Sequence, residues 1–207
     1  MDDYLTITAI RSQQSRVKSQ GEGDSRLQTP DPRLRDDLVQ RALDRALRYL
    51  SYRPRSESEV RARLHRYGYE DDVIARTLDR LRGSGLIDDA SFAAFWKENR
   101  ASFKPRSSRL VAQELRQKGV SPEIIAQALE TLDNEAEAYR AGYKKAHFLE
   151  RADYYGFRKK LSAFLHRRGF DYEVIRLVVE RLWQEKEGDS RSVVGVVPDP
   201  DGESENE

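Results

Sequence analysis

One repeated pattern constrains this chain more than any other feature. Pro54-Arg55-Ser56 returns 51 residues later as Pro105-Arg106-Ser107. From there the register holds without a gap: Val60 with Val111, Leu64 with Leu115, Gly68 with Gly119, Ile74 with Ile125, Leu78 with Leu129 and Leu81 with Leu132. A third copy follows 50 residues further on, at Leu161, Leu165, Gly169, Ile175, Val179 and Leu182; there Tyr155-Gly156-Phe157 stands where Pro-Arg-Ser would be. A period of this length marks stacked units of supersecondary structure, each burying its apolar face against neighbours.

The spacing within a copy is helical. Val60 and Leu64 are one turn apart, Gly68 lies one turn on, and Ile74, Leu78 and Leu81 restart the period. A glycine at that place stops a helix by taking the left-handed conformation. Ser56-Glu57-Ser58-Glu59 reads as a capping box, and Ser121-Pro122-Glu123 puts a cap, a first-turn proline and an acid in order. A further helix precedes each pair, with stripes at Leu43, Ala46, Leu47 and Leu50, at Phe92, Phe95 and Trp96, and at Tyr139, Tyr143, Ala146 and Leu149. Between the first two units, Asp88 is placed to cap, with Ile87 and Phe92 flanking it as a hydrophobic staple.

The fold class expected is all-α: an elongated array of three tandem three-helix repeats, with a flexible N-terminal leader and a disordered acidic C-terminal tail. The units are 36–87, 88–133 and 134–185. Residues 1–35 form the leader, in which Leu5, Ile7 and Ala9 alternate as in one short strand over 4–10, and 186–207 form the tail. Charged residues are 35% of the 207, against 38% hydrophobic, which suits an array with much surface for its volume. There is no cysteine, which excludes disulfides and thiolate metal sites and fits a reducing cytoplasm. The start, Met1-Asp2-Asp3-Tyr4, is not a secretory signal, and no apolar run is long enough for a bilayer.

The formal net charge of +1 conceals an opposition. Residues 184–207 carry eight acidic and two basic side chains, whereas 41–183 carry 29 basic and 21 acidic. A basic body calls for a polyanionic or acidic partner, and two clusters concentrate it: Arg53, Arg55, Arg61 and Arg63, and Arg158, Lys159, Lys160, Arg167 and Arg168. The competing account of each cluster is a solvated helix face. The aromatic residues sit mostly on core stripes; Tyr52 and Tyr155 fall in inter-helix turns and are the exceptions. His65 and His166 share one repeat position, held in the second unit by Arg116, so they mark a polar surface slot and not a metal site. Asp88-Asp89 reads as a cap with a dipole-stabilising neighbour. Without a Gly-x-x-x-x-Gly-Lys-Ser/Thr run or any catalytic constellation, neither an enzyme nor a cofactor is expected.

Two segments resemble signatures of the RecX family: Ala46-Leu47-Arg48-Tyr49-Leu50-Ser51-Tyr52-Arg53-Pro54-Arg55-Ser56-Glu57, and Gly85-Leu86-Ile87-Asp88-Asp89 followed by Phe92, Ala93 and Trp96. The resemblance covers about residues 40–183. It implies a non-catalytic cytoplasmic modulator of the RecA recombinase, which binds the RecA–DNA filament in its helical groove and suppresses ATP hydrolysis and strand exchange. The two basic clusters are then the expected contacts to RecA or DNA. The expected partner is the RecA filament, with weak nonspecific DNA affinity through the third unit, no membrane, and a monomeric chain.

Two other functions compete. The helix–glycine–helix of each unit loosely resembles a helix-turn-helix, which would make the chain a direct DNA-binding regulator. Against this, the third helices carry Asp71, Asp72 and Asp79, then Glu123, Glu130 and Asp133, which repel phosphate. A purely structural adaptor would leave recombination untouched.

Overall fold

A computed structural model describes residues 32–194. Nine helices occupy that stretch, and they pack in successive threes. The first unit is α1 (Pro32–Leu50), α2 (Glu57–Arg66) and α3 (Asp71–Gly83); the second is α4 (Asp89–Phe103), α5 (Ser108–Gln117) and α6 (Pro122–Leu129); the third is α7 (Asn134–His147), α8 (Tyr154–Arg167) and α9 (Tyr172–Val194).

The local signals act as their chemistry dictates. Ser56 closes a full capping box with Glu59, and Asp88 accepts from the N–H groups of Ala90 and Ser91. Ser121 caps α6 ahead of its first-turn proline. Gly68, Gly119 and Gly169 all have positive φ, +82°, +77° and +86°. Each closes the same motif. The residue after glycine donates its N–H to the leucine carbonyl five residues back: Tyr69 to Leu64, Val120 to Leu115, Phe170 to Leu165.

Each unit has its own core. Val39, Ala42 and Ala46 of α1 meet Val60, Leu64, Ile74, Leu78 and Leu81. The second core is the smallest, with Phe92, Ala93, Val111, Leu115 and Ile125 at its centre. Phe157, Leu161, Leu165, Val178 and Leu182 lead the third. Ile87 belongs to the first core and Phe92 to the second, so the residues flanking the Asp88 cap anchor it in two cores. The stripes read from the sequence run partly off their faces: Leu47, Phe95 and Tyr143 are exposed, because the buried faces centre on Val39, Ala42 and Ala46 in α1, on Phe92 and Ala93 in α4, and on Ala138, Ala141 and Gly142 in α7.

Two boundaries differ from those expected. Helix α1 begins at Pro32, inside the segment assigned to the leader, since proline suits a first helical turn. Helix α9 runs to Val194, nine residues into the expected tail. Contacts hold it at the start of that stretch: Tyr139 of α7 donates to Glu185 (2.9 Å), and Lys186 donates to the Ala152 carbonyl between α7 and α8 (2.7 Å). The strand expected over 4–10, the rest of the leader and residues 195–207 lie outside the described residues.

Candidate functional site

The Pro-Arg-Ser elements are where the units join. At the first junction the Ser56 hydroxyl donates to the Lys118 carbonyl (2.6 Å), at the helix stop of the second unit. A Cβ on Gly119 would overlap Ser58. At the second junction the Ser107 N–H donates to the Arg168 carbonyl (3.1 Å), and a Cβ on Gly169 would overlap Leu110 and Ser107. Each of the first two units thus seats the glycine stop of the next against the start of its own second helix. A second link repeats as well: the Glu57 N–H donates to the Asp89 carboxylate (2.9 Å), and the Ser108 N–H donates to Asn134 Oδ1 (2.8 Å). Asp89 is therefore a tether between units and not only a charge at a helix start. Burial raises its pKa, against the bond from Glu57.

This geometry accounts for the missing third copy. Among the described residues no unit packs on the start of α8, and there the helix gains an extra turn capped by Asp153 in place of Pro-Arg-Ser. At the other end, Gly68 meets nothing within 4 Å.

The first basic cluster is largely spent inside the protein. Arg53 reaches Glu59 at 2.9 Å, Arg55 stacks on Tyr49 at 4.0 Å, Arg61 pairs with Glu57 at 3.0 Å, and Arg63 lies over the rings of Tyr49 and Tyr67. Glu59 collects Arg53, Lys118 of the next unit and its own cap N–H. Burial pushes its pKa up, but those bonds outweigh burial and hold it below the usual glutamate value of 4.5. In the second unit Glu114 plays the bracing part, accepting from the Trp96 indole (2.7 Å), Arg100 (2.6 Å) and Arg106.

The second cluster divides. Arg168 is structural: it donates to the Pro105 carbonyl (2.9 Å) and stacks on Phe164. Burial, with the charge of Arg106 second, lowers its pKa. Arg158, Lys159 and Arg167 instead line an open groove between α8 and α9, of about 770 Å³, together with Tyr155, Tyr172 and Arg176. These four cations have no partner among the described residues, and the groove's one acid, Glu180, accepts from Tyr154 (3.3 Å). Lys160 is exposed on α8 away from the groove. Arg176 was absent from the sequence-level cluster because it comes from a different helix. The groove draws its charge from α8 and α9 together.

No group of His, Asp or Glu among the described residues is arranged to hold a metal. His65 pairs with Asp71 and His147 with Glu150, all at the surface. No helix among them is long and apolar enough to cross a membrane.

Comparison with known proteins matches each unit separately. Residues 42–81 fit the model of the first three-helix domain of RecX, 88–129 that of the second, and 133–179 that of the third. The chain belongs to the RecX family. The regulatory protein RecX of Prosthecochloris aestuarii is 40% identical over 147 residues, covering 71% of this chain and 97% of that one. The RecX of Mycolicibacterium smegmatis is 44% identical over 114 residues, 55% of this chain and 59% of that one. Among solved structures, RecX from Lactobacillus salivarius superposes with a TM-score of 0.63 at 23% identity, over 72% of this chain and 99% of that one, a likeness of fold. A second RecX crystal structure has a TM-score of 0.60 at 28% identity, over 70% and 74%. RecX proteins are non-catalytic regulators, and the family generally modulates RecA.

Proposed function

We propose that this RecX-family chain binds the RecA–DNA filament in the cytoplasm, as a monomer, and lowers RecA's ATP hydrolysis and strand exchange. The observation that carries the contact surface is the α8–α9 groove, with four unpartnered cations at one end of a three-unit array. Cations free of internal partners are available to phosphates or to an acidic protein surface, whereas those of the first unit would first have to leave Glu57, Glu59 and Tyr49. Monomeric action is supported by the ends of the array: the first unit's stop has no socket, and the third unit has lost its own.

The test is co-sedimentation with filaments of the cognate RecA on single-stranded DNA, using Arg158→Glu/Lys159→Glu/Arg167→Glu. Binding should fall by at least about tenfold, as expected when several complementary charges are reversed. The same change on Arg61→Glu/Arg63→Glu should act mainly through stability. Wild-type binding by the triple variant would remove the groove from the interface.

Direct duplex recognition through the helix–glycine–helix elements finds less support. Asp72 and Asp79 on α3 point outward, paired with Arg35 and Arg82 at the surface, and would meet phosphate first.

A further inference from the structure

One exposed aromatic ring appears at the same place in every unit, where the first helix ends. Tyr52 stands two residues before Pro54, and Phe103 two residues before Pro105. Phe148 follows the cap Asp133 by the same fifteen residues that separate Phe103 from the cap Asp88. The three are 83%, 77% and 79% exposed, and none joins any of the three cores. Phenylalanine has no polar atom to reward such exposure, so two of these rings stay in water at a cost with no gain in packing.

Cations surround them. Arg48 lies one turn before Tyr52, Lys104 follows Phe103, and Lys144 and Lys145 precede Phe148; none of these four has a side-chain partner among the described residues. Phe103 and Phe148 moreover open onto one cleft between the second and third units, of about 270 Å³, floored by Phe164 and edged by Lys144, Lys145 and Arg140.

We propose that these rings form a stacking face for single-stranded nucleic acid, with its centre in the Phe103–Phe148 cleft. Flat apolar rings set singly among cations suit a strand that offers base faces and phosphates in alternation. A duplex keeps its base faces covered, so the face should discriminate against it. An apolar protein partner would call for one continuous patch; here Tyr52 stands a unit away from the Phe103–Phe148 cleft, and Arg48, Lys104, Lys144 and Lys145 border the rings. The site is distinct from the α8–α9 groove and does not depend on RecA.

The test uses the full chain without RecA and follows the anisotropy of a labelled oligothymidylate long enough to span three units. Phe103→Ala/Phe148→Ala should bind at least about tenfold more weakly, the loss expected for removing stacked rings. Phe103→Trp/Phe148→Trp should retain binding. An abasic strand of equal length should bind the wild type about as weakly as thymidylate binds the double alanine variant. Because the rings lie outside the cores, the circular-dichroism melt of the alanine variant should match the wild type. Undiminished binding by that variant would overturn the proposal, as would equal affinity for abasic and thymidylate strands. So would a variant that loses only its affinity for DNA-free RecA, which would make the rings a protein-docking surface.

Discussion

Glu59 shows how one residue ties two units together. Its carboxylate faces Arg53 of its own unit and Lys118 of the next. Its folded pKa lies below 4.5, so its stabilising effect is present above that value and is lost as pH falls through the folded pKa. Thermal melts of wild type and Glu59→Gln should therefore be far apart at neutral pH and converge below about pH 4.5. A gap that stays constant through that range would mean the ionised carboxylate does not hold the junction. Glu137 runs the other way: burial raises its pKa against the pull of Arg140, so its protonation favours the folded state as pH falls through the raised value, above the Glu59 window. Much at this scale was legible in the sequence. The caps at Ser56, Asp88 and Ser121 depend only on neighbouring residues, and helical spacing exposes them. The fate of Arg55 was not legible: whether it meets solvent or the Tyr49 ring depends on how α1 crosses α2. The repeat did hold one unread signal, since Tyr52, Phe103 and Phe148 each fall within two residues of the end of the first helix of their unit.

At the scale of the element, the glycine stops have two duties that substitution can separate. All three of Gly68, Gly119 and Gly169 need a left-handed residue, which costs an L side chain about 1–2 kcal/mol. Only Gly119 and Gly169 also seat against a preceding unit. Alanine at Gly68 should therefore cost about the conformational strain alone, and alanine at Gly119 or Gly169 about 1–3 kcal/mol more, from overpacking at the junction. Urea unfolding of the three variants measures the difference, and equal losses would show that the junctions are loose. The sequence made the helix stops readable because glycine is the residue that the left-handed turn requires. It left unread what Pro-Arg-Ser is for, because a socket is defined only by the element that fills it. Seen in place, the motif stands at the two described junctions, and the third copy, which seats no described unit, has Asp153 as its cap. The ends of α1 and α9 were misplaced for a related reason: segments rich in polar residues stay helical where one face packs on a neighbour, as α9 does on α7.

As a whole, the molecule is three small cores held in series by repeated polar junctions. The second core is the smallest, and it is linked on both sides, so the middle unit draws stability from its neighbours as well as from its own burial. Such an array presents one face over several units, and several modest contacts along a filament add through effective concentration. On the function proposed above, that is how a chain of a non-catalytic family would act on one that hydrolyses ATP. The decisive measurement is DNA-dependent ATP hydrolysis by the cognate RecA on single-stranded DNA, with this protein titrated in below the RecA concentration. The account predicts suppression at substoichiometric amounts, relieved in Arg158→Glu/Lys159→Glu/Arg167→Glu. Unchanged hydrolysis across the titration, with filament lifetime also unaltered, would contradict it.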